Sequence, residues 1–445
     1  MRTEEVPKLD LESHRTPEWK MGLMWNEIGE KAKGLKDWIT SRGWKIAGIL
    51  NGGDLYKAEG VQIKEDQKVL YSDRPFAVVV TDDGKVVHWP TEKMTTDERN
   101  EKRLDANLAA YREVYADFLE TQDSIKKLGY NPIPKASQVI EVDGKYVTVV
   151  DFANGLHSLG QGSPAEGIHE FNTRFLSPRD MEGLVRAIDA AHVSSKEFYA
   201  RVDQSRIPDR SWFKEGFKIC FRGKEWWFNK TKRKENATQG KQVGNEEQEY
   251  GDRLGELYEK VRGSAEMSRL VHEVAPELDF RKALEGMIVN NQFLYPPQKA
   301  QIAELNDMMV VVHGTICPDN IQAFLGKDGK MRYLLSSGDR SQGVGLRGQE
   351  IDWLVSACAA SPEHQYALIN AFIKIQAENH RNVELEKRGL AMHILYRAIS
   401  EGRWFADKGK TKEAENLVRL SRDILEGNGV WRGVNRALVV HEDNR

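Results

Sequence analysis

The feature that most constrains this chain is one short segment. Val310-Val311-Val312 is an apolar strand pattern that runs into the polar stretch His313-Gly314-Thr315-Ile316-Cys317-Pro318-Asp319-Asn320. From Ile321 a hairpin follows, turned at Lys327-Asp328-Gly329 and returning through Met331 to Leu335. Apolar residues on both sides of it recur with a helical period. A strand, a polar loop and a hairpin set among helices exclude an all-helical bundle and an all-β sandwich. They predict an α+β protein.

The period divides the rest of the chain. Ile46, Ile49 and Leu50 precede Asn51-Gly52-Gly53-Asp54 and Leu55-Tyr56-Lys57. Phe76 to Thr81 and Lys85 to Trp89 flank Asp82-Asp83-Gly84, and Ser137 to Val142 and Lys145 to Phe152 flank Asp143-Gly144. Each pair reads as an antiparallel hairpin. Between them, Leu104, Leu108, Tyr111, Tyr115, Phe118 and Leu119 predict one long helix over 97–128, with Gly129 as its C-cap. After Gly155 helical patterns dominate. Ser177-Pro178 marks a helix start, with Leu184, Ile188 and His192 on one face, and helices run from about 349 to 425. Trp19, Leu23, Trp25, Leu35 and Trp38 predict short amphipathic helices that pack on something downstream. The expected organisation is an N-terminal helical extension over 1–40, a β-rich lobe over 41–153, and a helical lobe over 154–445 with an insertion at about 205–300.

Charge and composition exclude several function classes. Lys and Arg number 65 against 68 Asp and Glu, a formal net charge of −3, so the chain as a whole is no polybasic nucleic-acid protein. No apolar run approaches the roughly 18 residues that span a bilayer, and the N-terminus lacks the apolar core of a signal peptide. Three widely spaced cysteines, Cys220, Cys317 and Cys358, form neither a zinc nor a disulfide pattern. A cytoplasmic protein without a membrane partner is the expectation.

The loop at His313 resembles the catalytic loop of kinase-like phosphotransferases of the aminoglycoside phosphotransferase and choline kinase type, which reads H-G-D-x-x-P-x-N. His313, Gly314, Pro318 and Asn320 match it. Other parts fall in family order: the glycine turn at Gly52-Gly53, the hinge from Val149 through Asp151 and Ala153 to Gly155, the helix ending at His192, and Gln349-Glu350-Ile351-Asp352. The resemblance implies a two-lobed, protein-kinase-like fold, with a small antiparallel β lobe plus one long helix and a large helical lobe. It implies ATP and magnesium as cofactors, with Gly52, Gly53, Asp151 and Ala153 on the nucleotide. It makes His313, Thr315, Asn320 and Asp339 the catalytic positions, Asn320 and Asp339 the metal ligands, and Asp352 a structural support of the loop.

The departures carry as much information as the matches. The family uses the loop aspartate to orient the attacking hydroxyl and a second aspartate after the hairpin to hold the metal on the phosphates. Here the first position is Thr315, which has no carboxylate. Centred near Asp328, the hairpin sets Asn320 opposite Ser336, where the metal carboxylate belongs. A bulge at Gly338 would instead bring in Asp339. No spacing selects a phosphate-gripping lysine from Lys57, Lys85 and Lys93, or its partner from Glu101 and Glu113. His313 and Asn320 also have plain structural readings, as a buried hydrogen-bonding histidine and a loop cap, and Gly52-Gly53 reads more readily as a hairpin turn. The leading expectation is therefore a pseudokinase that binds a nucleotide, protein or other partner. The alternative is an active ATP-dependent small-molecule phosphotransferase that recruits Asp339.

A separate candidate surface lies at 212–234. From Ser211 to Lys234, eight Lys and Arg stand against two Glu, interleaved with seven aromatics. Trp212, Lys218, Arg222, Lys224, Trp226 and Trp227 combine cations with stacking platforms, the chemistry a nucleic acid or an anionic protein partner would use. The plain alternative is a solvated basic loop beside core aromatics.

Overall fold

Val79, Val87 and Val149 lie side by side on three neighbouring strands, and each is almost completely buried. This row shows how the β-rich part is built in the computed structural model, which describes residues 34–51, 54–57, 76–81, 85–90, 114–133, 136–142, 145–151, 157–161, 170–171, 176–201, 261–291, 307–313, 316–326, 329–335 and 343–437. The fold is α+β, mostly helical with small antiparallel sheets. The chain divides into two units. The first takes in residues up to Ile168, Asp203–Pro208 and Asp319–Arg340; the second takes in His169–Val202, Asp209–Pro318 and Ser341–Arg445. Elements are numbered in chain order.

The first unit holds β1 (Ile46–Asn51), β2 (Asp54–Lys57), β3 (Phe76–Thr81), β4 (Lys85–Pro90), β5 (Ala136–Val142) and β6 (Lys145–Asp151) in one six-stranded sheet of order β2-β1-β3-β4-β6-β5. Every neighbouring pair is antiparallel. Three of the pairs are the hairpins expected from their turns: Asn51 opposes Asp54, Val80 opposes Val86, and Val142 opposes Lys145. Alternation puts Val79, Val87, Trp89, Val147 and Val149 inside. Helix α1 (Leu35–Ser41) is the amphipathic helix expected before the strands. Leu35 and Ile39 are buried, and the Trp38 ring meets Trp89 of β4 at 5.6 Å, so the packing target is the sheet.

Of the long helix predicted over 97–128, residues 97–113 lie outside the described residues, and the described part is broken in two. Residues 114–120 are helical, but the helix ends at Thr121-Gln122, and α2 (Asp123–Leu128) starts afresh. Thr121 Oγ1 donates to the Phe118 carbonyl at 2.7 Å, and the Thr121 and Gln122 amides bond three residues back rather than four. That tightened turn ends the α-helical ladder, which an apolar period cannot reveal. Gly129 closes α2 at φ 81°, the expected left-handed cap. The same unit contains β7 (His157–Ser158), β8 (Gly160–Gln161), β11 (Ile321–Leu325) and β12 (Met331–Leu335), with β11 between β12 and β7.

The second unit contains β9 (Glu170–Phe171), β10 (Met309–Val312) and β13 (Gly343–Leu346), with helices α3 (Met181–Ala191), α4 (Ser195–Arg201), α5 (Ala265–Val274), α6 (Phe280–Asn290), α7 (Gln349–Ala357), α8 (Pro362–Glu378), α9 (Val383–Asp407) and α10 (Thr411–Glu426). Helix α3 starts four residues after Ser177. The Ser177 amide and hydroxyl both donate to the Asp180 carboxylate, at 2.8 and 2.7 Å, in a turn that precedes the helix. In α9, Leu390, Ala391, Ile394, Leu395, Ala398 and Ile399 are buried, and this 25-residue helix is the spine of the unit. The spine and α7 meet at glycine: a Cβ on Gly348 would lie 2.9 Å from the Leu390 backbone. Arg388 of α9 donates to the Gly433, Val434 and Arg436 carbonyls and ties the C-terminal turn to the same helix.

Two glycine substitutions should move stability in opposite directions. Gly348→Ala forces α7 off α9 and should cost about 1–3 kcal/mol. Gly286→Ala, inside α6 with no atom within 4 Å of the added methyl, should gain about 0.5–1 kcal/mol. Urea unfolding of the two variants beside the parent checks both signs.

Candidate functional site

Strand β10 delivers the loop that begins at His313. Its four residues are all buried, and it is held on both sides. On one side it pairs with β13, Met309 opposite Leu346 to Val312 opposite Gly343. On the other, Val311 N donates to Val193 O at 2.9 Å, and Ser195 Oγ donates to Met309 O at 3.1 Å. His313 directly follows this strand and is buried, at 2% exposure. Arg347, directly after β13, pins the entry to β10: its amide reaches Met308 O at 3.3 Å and Nη2 reaches Asp307 O at 2.8 Å.

Arg347 belongs to a buried ionic cluster that sequence reasoning missed. Its Nη1 donates to Glu386 of α9, and its Nε lies 3.9 Å from Asp189 of α3. Asp189 also accepts from Arg381 at 2.5 Å, Gln376 at 3.1 Å and Asn379 at 3.0 Å. Beside it, His192 Nε2 and Glu350 Oε2 are 2.7 Å apart, with both side chains almost fully buried. Burial alone would raise the Asp189 carboxyl, but Arg381 outweighs it and holds the group below the usual carboxylate range. At Glu386 burial prevails over Arg347, and the carboxyl is pushed up. The cluster ties the ends of α3 and α8 and the start of α9 to the strand that carries His313. The signal was weak: His192 and Glu350 stand in the resemblance, but Asp189, Arg347, Arg381 and Glu386 follow no local spacing.

Asp352 lies one turn into α7. Burial pushes its carboxyl up to about 7, opposed by Arg397, whose Nε is 3.8 Å away, and by the Trp353 backbone. Arg397 in turn stacks over the Trp353 ring at 4.1 Å.

In the first unit, Asn320 closes a 3-10 turn, Pro318–Asn320, and is half-buried next to β11. The hairpin register is Ile321 opposite Leu335 through Leu325 opposite Met331, the register its turn implied. Asp151 is the last residue of β6, and its strand partner is Lys85. Of the remaining expected site residues, Gly52, Gly53, Ala153, Thr315 and Asp339 lie outside the described residues, as do Lys93, Glu101, Glu113, Ser336 and the whole segment 212–234 with Trp212, Lys218, Arg222, Lys224, Trp226 and Trp227. Among the described residues, no three His, Cys, Asp or Glu side chains form a group that could hold a metal ion. No described helix is long and apolar enough to cross a membrane. Cys317 and Cys358 are buried and in no disulfide, and burial pushes the Cys358 thiol up, away from reactivity.

No family model and no curated protein matches this chain. Among solved structures it is similar to the GDP complex of wild-type aminoglycoside 2'-phosphotransferase-IIIa, at 11% identity and a TM-score of 0.35, over 81% of this chain and 92% of that one. It is similar to an aminoglycoside phosphotransferase from Alicyclobacillus acidocaldarius at 11% identity and 0.36, over 80% and 92%. It is also similar to glucosamine kinase in complex with glucosamine, ADP and inorganic phosphate, at 10% identity and 0.33, over 87% and 82%.

The Asp352 carboxyl gives a pH test. Its folded value stands above the ordinary value of about 3.9, so the folded state holds a proton that the unfolded chain releases between about pH 4 and 7. Stability should therefore fall as pH rises through that window, by up to about 1.4 kcal/mol per pH unit from this group. Asp352→Asn should remove that component, measured as the difference in urea midpoints between parent and variant across the window.

Proposed function

We propose that this chain is a kinase-like binding protein of the small-molecule phosphotransferase type, which takes up a nucleotide without transferring its phosphoryl group efficiently. One observation carries the reading. The β11–β12 hairpin holds the register that puts Ile321 opposite Leu335, and the next residue along the chain, where the family carries its metal aspartate, is Ser336. With Thr315 in place of the loop aspartate, neither family carboxylate is present in sequence. The support for the kinase-like part is the ordered set of motifs, together with a buried His313 at the end of a doubly held strand.

On this reading the donors at the two family positions do not fit a magnesium ion. Magnesium is held by carboxylates and phosphates in near-ideal octahedra, whereas the Asn320 carboxamide and a serine hydroxyl are neutral donors. A phosphate chain would have to be held by cationic side chains and backbone amides alone, a binding arrangement without the metal ion that bridges the β- and γ-oxygens in phosphoryl transfer.

A thermal-shift titration with ATP, GTP and ADP, each in magnesium and in EDTA, tests this. A ligand that binds only the folded state stabilises by about 2.7 kcal/mol at 100 times its Kd. The expected result is a nucleotide shift of equal size with and without magnesium, unchanged in Asp339→Asn. A magnesium-dependent shift that Asp339→Asn abolishes would overturn the reading without a metal ion and favour the active phosphotransferase instead. No shift at millimolar nucleotide would remove nucleotide binding and leave the basic, aromatic segment 212–234 as the working surface. Binding there would weaken steeply with salt if the partner is a nucleic acid.

A further inference from the structure

The hairpin that ends beside Asn320 has a free edge, and it is covered in an unusual way. Strand β12 pairs with β11 on one side. On the other, the Tyr333 and Leu335 amides point away from β11, and among the described residues no strand pairs there. Those two donors are nevertheless satisfied. Tyr333 N donates to the Tyr130 hydroxyl at 2.9 Å, and Leu335 N donates to the Pro132 carbonyl at 2.8 Å. The loop after α2 thus stands in for a strand, with a side-chain oxygen at one rung and a backbone oxygen at the next.

The substitute strand is fixed at both ends. Asn131 Nδ2 donates to the Ala116 carbonyl of the helical stretch 114–120, and Asn131 Oδ1 accepts from Ile133 N, each at 3.0 Å. The Tyr130 ring meets Phe324 of β11 edge-on at 6.4 Å, and the Arg332 guanidinium lies over it at 5.3 Å. Tyr333, Leu335, Ile321 and Ile133 beneath are all buried to 1% exposure or less. Burial pushes the Tyr130 phenol up to about 12, so at working pH it is a neutral hydroxyl that can accept from an amide. A continuous set of contacts therefore runs from the helical stretch through Asn131, Tyr130 and Pro132 to β12, β11 and Asn320.

We propose that Tyr130 is a positioning residue, whose hydroxyl completes the free edge of β12 and thereby sets Asn320 for the ligand at that end of the hairpin. The ligand is the nucleotide of the preceding section, and the proposal rests on that reading for its effect on binding. Its chemistry is simple: a single acceptor replaces the carbonyl that a missing strand would offer. Without it, a buried amide is left unpaired and the outer strand is free to slip.

Tyr130→Phe keeps the ring contacts and deletes only the acceptor. The expected result is at least ten-fold faster hydrogen exchange at the Tyr333 amide, unchanged exchange in β3 and β4, a melting temperature within about two degrees of the parent, and an ATP Kd at least five-fold weaker by calorimetry. Asn131→Ala, which releases the loop but keeps the hydroxyl, should weaken ATP in the same direction. Faster exchange with unchanged ATP affinity would overturn the positioning role and leave a structural contact. Unchanged exchange would overturn the contact itself. Should the parent bind no ATP, the nucleotide reading falls, and the side-chain amide signal of Asn320 in selectively labelled protein decides the rest. Movement of that signal in Tyr130→Phe supports positioning, and a stationary signal overturns it.

Discussion

Asp189 is a carboxylate taken out of water, and much of the helical unit is arranged so that this is tolerable. A buried charge without partners costs several kcal/mol, and removing one member of such a pair commonly costs about 3–5 kcal/mol, because the other is stranded. Here Arg381 contacts Asp189 directly, Gln376 and Asn379 fill its remaining acceptor sites, and Arg347 stands between it and Glu386. These groups come from α3, the end of α8, the residue after β13 and the start of α9. Satisfying one carboxylate therefore fixes four pieces of chain at once. Arg347 passes the constraint on through Asp307 and Met308 to β10, and so to His313.

A rigid strand leading into a loop is the usual foundation of a site, and the first unit repeats the device differently. There the hairpin β11–β12 is braced by hydrogen bonds from its free edge to the loop after α2 rather than by ions. In both units a backbone segment that borders the candidate loop is held by contacts from distant parts of the chain.

Much of this was legible in the sequence, for physical reasons that can be named. Glycine and aspartate turns fix hairpin registers, so Ile321 opposite Leu335 follows from Asp328-Gly329, and Val80 opposite Val86 from Asp83-Gly84. Gly129 was readable as a helix end because a left-handed cap favours glycine. The break at Thr121-Gln122 was not, since a hydroxyl that turns back on the Phe118 carbonyl leaves the apolar period intact. Nor was the start of α3, where Asp180 draws Ser177 into a turn of its own. The ionic cluster and the Tyr130 brace were invisible for a deeper reason. Asp189 and Arg381 are 192 positions apart, and Tyr130 and Tyr333 are 203 apart, so no local pattern joins them.

The proposed reading, nucleotide binding without efficient phosphoryl transfer, is tested most directly by measuring ADP release from ATP. The purified chain would be incubated with magnesium and a panel of amino sugars, aminoglycosides and amino alcohols as acceptors. The expected result is no ADP above the protein-free rate with any acceptor. Magnesium-dependent ADP formation that is lost in Asn320→Ala would contradict it and make the chain an active phosphotransferase.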